Sequence, residues 1–226
     1  MTGTLRAVGV LMLLATGVAE AQQRAVFALL PFENSGSYGQ DKEVFEALEL
    51  GLPAMVARAL ERQPGAAVAD QARVSRALAG LGLGPGQRVD AATAAEVAKG
   101  AGARYTVTGG FSDFYGKFRV NARVVDGQSG QILKVVSNDD PKLQDRAQLS
   151  AIVQLVSEKV AAAAGLQAGG GAPPALPTEA ITDFSRGLLH ESRGDRARAL
   201  QFFQRALTAA PGFEEARAGV ERVRGG

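Results

Sequence analysis

Residues 118–126, FRVNARVVD, constrain the fold more than any other stretch. Phe118, Val120, Ala122 and Val124 alternate with Arg119, Asn121, Arg123 and Val125. Such alternation sends successive side chains to opposite faces of a strand. One apolar face means an antiparallel strand with one side buried and one side wet. The flanking sequence supplies its partners. RYTVTGGFSDFY, residues 104–115, reads as a strand, and a tight turn at Gly116-Lys117 joins it to the first. Gly127 to Gly130 make the next hairpin turn, and QILKVVS, 131–137, is the third strand.

Upstream the pattern changes. AVFALLPF, 25–32, is a continuous apolar run. It suits a strand buried on both faces, which needs helices on both sides of the sheet. Residues 41–62 place Val44, Phe45, Leu48, Leu52, Met55, Val56 and Leu60 at helical spacing. Pro53 lies inside that helix and predicts a kink, or two abutting helices, near Leu50. AAVAD, 66–70, is a short strand, and 71–81 and 91–101 are helices, the second N-capped by Asp90. Residues 145–165 form a helix with a buried stripe of Leu149, Ile152, Val153, Val156 and Val160. The expected order is β-α-β-α-α-β-β-β-α, an α/β (α+β) domain with a mixed sheet and helices packed on it.

The chain has 226 residues, 46% of them apolar, enough for a sizeable core. A net charge of +2 is too small to predict nucleic-acid binding. Residues 1–21 read as a secretory signal: Arg6 in the positive region, an apolar run from Ala7 to Leu14, and Ala19-Glu20-Ala21 as the cleavage site. The mature chain is then expected in the periplasm, starting at Gln22. The α/β domain occupies 22–166. QAGGGAPPALPT, 167–178, is a linker, part flexible and part extended, and 179–226 turns helical and charged.

Few residues offer chemistry. The chain has no Cys and one His, so disulfides, thiolate sites and Cys nucleophiles are excluded, and neither a metal site nor a cofactor is expected. GLGLGPG, 80–86, fails the dinucleotide fingerprint, because no strand feeds into it and the sixth position from Gly80 is Pro85. No Ser lies in a G-x-S-x-G elbow. Asp139-Asp140 reads as a helix lead-in, and Glu214-Glu215 as first-turn acids that suit the helix dipole. The loop 33–41 follows a strand and precedes a helix, so Asn34, Ser35, Gly36 and Gly39 are the candidate ligand loop. It lacks the lysine and hydroxyl of a phosphate loop. Arg119 and Arg123 share the wet face of one strand, and Lys134 on the next is expected to join them as a partner-binding patch.

Two resemblances add to this reading. The segment from Ala180 to Ala216 resembles a tetratricopeptide repeat, with Gly187, Ala199, Phe203, Ala206 and Pro211 at the repeat's small, aromatic and closing positions. Asp183, Arg186 and His190 depart from the pattern, and His190 is expected to pack rather than react. VFALLPFENSG (26–36), DAATAAEVAKGAGARYTVTGGFSDF (90–114) and FRVNARVVDGQSGQIL (118–133) resemble the CsgG-like and TolB-amino-terminal-like domains of bacterial envelope proteins. That resemblance implies protein association, not catalysis. The hairpins are too short for membrane-spanning strands, so pore formation does not carry over.

The expected function is a non-enzymatic periplasmic adaptor. Its partners would be envelope proteins or a second copy of itself, with peripheral association with the outer membrane as a further possibility and no nucleic acid. The alternative is a small-ligand or anion-binding sensor that uses the loop 33–41.

Overall fold

The computed structural model describes residues 24–37, 41–84, 87–167, 169 and 174–225. Residues 1–21 (expected to be a signal), Gly39, and most of the glycine run at 169–171 lie outside the described residues.

Five strands form one mixed sheet in the order β2-β1-β3-β4-β5. The first, β1 (Ala25–Asn34), pairs in parallel with both β2 (Ala66–Val68) and β3 (Tyr105–Phe114). From β3 the chain meanders through β4 (Lys117–Asp126) and β5 (Ile132–Ser137), all antiparallel. The fold class and element order agree with the sequence expectation.

The apolar run in β1 is split between two cores. Phe27, Leu29 and Phe32 enter the larger one, and Ala28 and Leu30 the smaller. The register of β1 on β3 shifts between Leu29 and Phe32, around Pro31. Proline has no N–H to give the ladder; β2 reaches only Ala25–Phe27, so at Pro31 the sole neighbouring strand is β3 and the register shift accommodates it.

The smaller core lies under α2 (Gln71–Gly80) and α3 (Ala91–Ala101). Both helices are N-capped by aspartate: Asp70 accepts from the Arg73 N–H, and Asp90 from the Thr93 N–H at 2.7 Å. The larger core lies on the other face, under α1 (Lys42–Glu61) and α4 (Leu149–Ala163). All five stripe residues of α4, from Leu149 to Val160, are buried.

Three expectations need correction. First, α1 is one continuous helix across Pro53 rather than two abutting ones. Twelve of its 20 residues are buried, so packing on two sides holds the helix against the one lost hydrogen bond. Second, β4 is not wet along one whole face. Val125 is buried in the smaller core beneath α3, so on that face Lys117, Arg119, Asn121 and Arg123 keep access to water and Val125 does not. Third, the β3–β4 turn is centred on Tyr115-Gly116, not Gly116-Lys117. Both residues have positive φ, 52° and 77°, as a two-residue turn that matches strand twist requires.

The C-terminal helices are α5 (Thr178–Ser192), α6 (Arg196–Ala209) and α7 (Glu214–Gly225). They dock on the far side of α1, and Ala180, Ile181 and Phe184 join the larger core. At the crossing, Gly51 of α1 faces Ser185 of α5 so closely that a side chain at 51 would overlap it. Phe203 is enclosed in the same way. A Cβ on Gly187 would lie 3.0 Å or less from its ring, and one on Gly219 of α7 2.9 Å. Phe184 and Phe213 complete this cluster, with ring centroids 4.9 Å apart. The chain entering α5 is tied to α4, because the Leu176 N–H donates to Ser150 Oγ at 3.1 Å. Arg58 and Glu215, 2.8 Å apart, link α1 to α7 as a mostly buried ion pair.

Candidate functional site

The β3–β4 hairpin ends in two aromatic residues that the core does not use. Phe114 is 65% exposed and Tyr115 92% exposed. Their rings meet edge to face, 4.7 Å apart. Large aromatics held in water at the tip of a tight turn are the most conspicuous surface feature of the sheet.

Beside this tip lies an open cleft of about 970 Å3. Its floor is built from segments far apart in the chain: Gly36 and Asp41 before α1, Phe45 inside it, Asp113 on β3, and Asp145-Arg146 leading into α4. Arg146 organises the floor. Its guanidinium lies 2.9 Å from Asp41 Oδ2 and 3.4 Å from Asp113 Oδ2, and packs over the Phe45 ring at 5.5 Å. Asp145 accepts from the Ala147 N–H at 2.8 Å and so caps a 3-10 turn that precedes α4. Three carboxylates against one cation make the cleft acidic.

The loop expected to hold an anion borders this cleft, and its described residues bond largely among themselves and to β3. The Gly36 and Ser37 N–H groups both donate to Asn34 Oδ1, at 3.3 and 2.7 Å. Ser37 Oγ in turn accepts from the Asp113 N–H at 2.8 Å, which ties the loop to β3. Ser35 donates to Glu33. Among the described residues of the loop, the Ser35, Gly36 and Ser37 N–H groups are therefore taken by β3 and by the loop itself. Glu33 is held below its ordinary carboxylate range, chiefly by the paired Arg88 guanidinium.

The expected cationic patch is only partly assembled. Arg119 and Arg123 do share one face of β4. Lys134 does not join them. It stands opposite Val124, on the other face, while Val135 stands opposite Arg123. The cause is the irregularity between Val124 and Val125, which inserts one residue and turns β5 over.

In the C-terminal helices, Gly187, Ala199, Phe203 and Ala206 come together where α5 and α6 meet. His190 is buried and stacks on Phe202 at 5.3 Å, with Asp195 Oδ2 3.7 Å from Nδ1 and Glu43 Oε1 4.0 Å from Nε2. It packs between helices, away from the cleft. Asp183 is also buried. Burial pushes its carboxyl up, against the pull of Arg205 and Arg186 at 3.1 and 3.5 Å.

Sequence reasoning missed Phe114, Tyr115, Asp41, Asp113 and Arg146. Two aromatics directly before a turn glycine were a usable signal. The pairing of Arg146 with Asp41, 105 positions apart, had none.

No family model matches the chain, and no curated protein matches it. Solved structures do. The chain is similar to the LpoB C-terminal domain from Escherichia coli, at 17% identity over 54% of this chain and 86% of that one, TM-score 0.39. It is similar to lipoprotein GNA1162 from Neisseria meningitidis, at 18% identity over 61% and 96%, TM-score 0.41. It is also similar to TolB from Acinetobacter baumannii, at 20% identity over 72% of this chain but 30% of that one, TM-score 0.38. At these identities and scores the likenesses carry no argument for function.

Proposed function

We propose that the chain is a non-enzymatic protein-interaction adaptor of the bacterial cell envelope, exported by residues 1–21 and working in the periplasm. The observation that carries this reading is the hairpin tip. Phe114 and Tyr115 present apolar area to water beside a cleft in which Arg146 is held between Asp41 and Asp113. Rigid, exposed aromatics over a shaped cleft are what a protein partner uses as an anchor point. The CsgG-like resemblance of the α/β part and the tetratricopeptide-like resemblance of α5–α7 point the same way, toward assembly and partner holding. Neither part needs a catalytic group for that work.

A photo-crosslinking amino acid in place of Tyr115, in cells that make the protein, tests the reading. Discrete envelope-protein adducts are expected at 115 and not at Glu96, an exposed control on α3. Equal labelling at both positions would sink the proposal.

The sensor alternative shares the same cleft, which is roomy enough for a small molecule. Its acidic floor favours a cation over an anion. A thermal-shift screen with nucleotides, phosphates and sugar fragments separates the two, since a shift abolished at Gly36 would favour the sensor.

A further inference from the structure

The far edge of the sheet holds a second surface, independent of the cleft. In β5, Ile132, Leu133 and Val135 are 46%, 43% and 58% exposed, an unusual density of apolar side chains for a strand that ends a sheet. Register gives the direction of its backbone groups. The Asn138 N–H donates to Val120 O, so positions 136 and 134, two and four residues back, also bond inward to β4. Positions 135 and 137 then direct their N–H and C=O groups away from it. The Ser137 carbonyl is covered, because Lys159 Nζ of α4 donates to it at 2.8 Å. The edge beside Val135 is open: among the described residues no strand pairs with it.

Charge decides what fits there. Lys134 projects from one face of the edge, and Arg123, opposite Val135, from the other. Among the described residues no carboxylate lies within 4 Å of Arg119, Arg123 or Lys134. A second copy of this chain, paired so that Leu133 stands against Val135, would set Lys134 directly against the partner's Lys134. Like charges placed opposite each other destabilise a strand pair. Lysine on an edge strand is a common guard against self-pairing. It leaves the edge open to a strand of opposite charge.

We propose that β5 is a strand-addition site for an extended segment of another protein, apolar opposite Leu133 and Val135 and acidic opposite Lys134. Backbone hydrogen bonds to Val135 supply the attachment, and the lysine selects the charge.

The test uses the full chain and two fluorescein-labelled octapeptides, one alternating valine with glutamate and one alternating valine with lysine, read by fluorescence anisotropy. The glutamate peptide is expected to bind and the lysine peptide to bind at least about fivefold more weakly. Val135→Pro removes the outward N–H and should abolish binding. Lys134→Glu, an exposed change that leaves the β4 ladder in place, should reverse the preference, and it decides the matter if the proline variant does not fold. Equal affinity for the two peptides, or no binding of either, overturns the proposal. So does a concentration-dependent dimer in sedimentation that Val135→Pro dissolves, since the occupant would then be a second copy. None of these outcomes depends on whether Tyr115 anchors a partner.

Discussion

Gly51→Ala should destabilise this protein, and its sign is diagnostic. Alanine is favoured over glycine in a helix interior by about 1 kcal/mol. If α1 faced water at this position, the change would stabilise the fold by about that much. Instead the added Cβ would lie 2.5 Å from Ser185 Cβ and 3.2 Å from Ser185 Cα, besides overlapping its hydroxyl. Rotating the serine relieves only the hydroxyl, so the helices must separate. Because a backbone atom lies in the overlap, the cost falls at the upper end of the overpacking range, about 2–3 kcal/mol, and after the propensity gain of about 1 kcal/mol a net loss of about 1–2 kcal/mol is expected. Urea unfolding followed by far-ultraviolet circular dichroism would measure it. The double variant Gly51→Ala with Ser185→Gly gives the new methyl group room, so it should recover most of the loss and show strong coupling in a mutant cycle. A Gly51→Ala protein as stable as the parent, or more stable, would refute the close packing of α5 on α1.

Other consequences are open to measurement. Asp126 is pushed up by burial, but the Ser129 and Gln128 N–H groups and Arg104 outweigh this and hold its carboxyl below the ordinary 3.8. A lowered carboxyl adds stability above pH 3.8 that is lost as pH falls through its folded value. Asp126→Asn should therefore cost about 1–3 kcal/mol near neutral pH and progressively less below pH 3.8 in urea titrations, whereas a constant deficit would contradict the assignment. Asn138 accepts from the Val120 N–H at 2.7 Å and donates to Phe118 O at 2.9 Å, both in the interior, and to Leu143 O at 2.7 Å at its margin. Asn138→Ala should cost about 2–4 kcal/mol by chemical denaturation, and a loss under 1 kcal/mol would show that water replaces the amide. Tyr115→Asn keeps a residue that tolerates positive φ, so the melting temperature should hold or rise slightly while crosslinking through the hairpin tip falls. A marked drop in stability would mean that Tyr115 packs against something.

The elements were legible because local physics wrote them. Period-two alternation marked β4, a continuous apolar run marked β1, and Asp90 stood where a helix start needs a cap. What failed was decided by single-residue events. Without the extra residue near Val124, Lys134 would stand opposite Arg123, as the pattern suggested; with it, the lysine turns to the other face. Such a bulge leaves no compositional trace in VVDGQSGQIL. Pro53 read as a helix breaker because the sequence does not show that α1 is packed on two sides. The cleft was illegible for a related reason. Arg146, Asp41 and Asp113 meet only after three separate segments have been placed by the sheet.

The position of α1 between the sheet and α5 has a further consequence for how the chain folds. Gly51 and Ser185 touch across 134 positions of sequence. A chain made from its N-terminus therefore completes α1 only after nearly everything else has emerged. Contacts of such separation slow folding. They also mean that residues 24–166, cut free at the linker, would leave the surface of α1 around Gly51 bare. That fragment is expected to aggregate or to bind hydrophobic dyes, and a stable, dye-silent monomer would contradict this. The last fifty residues thus complete the packing of the first helix.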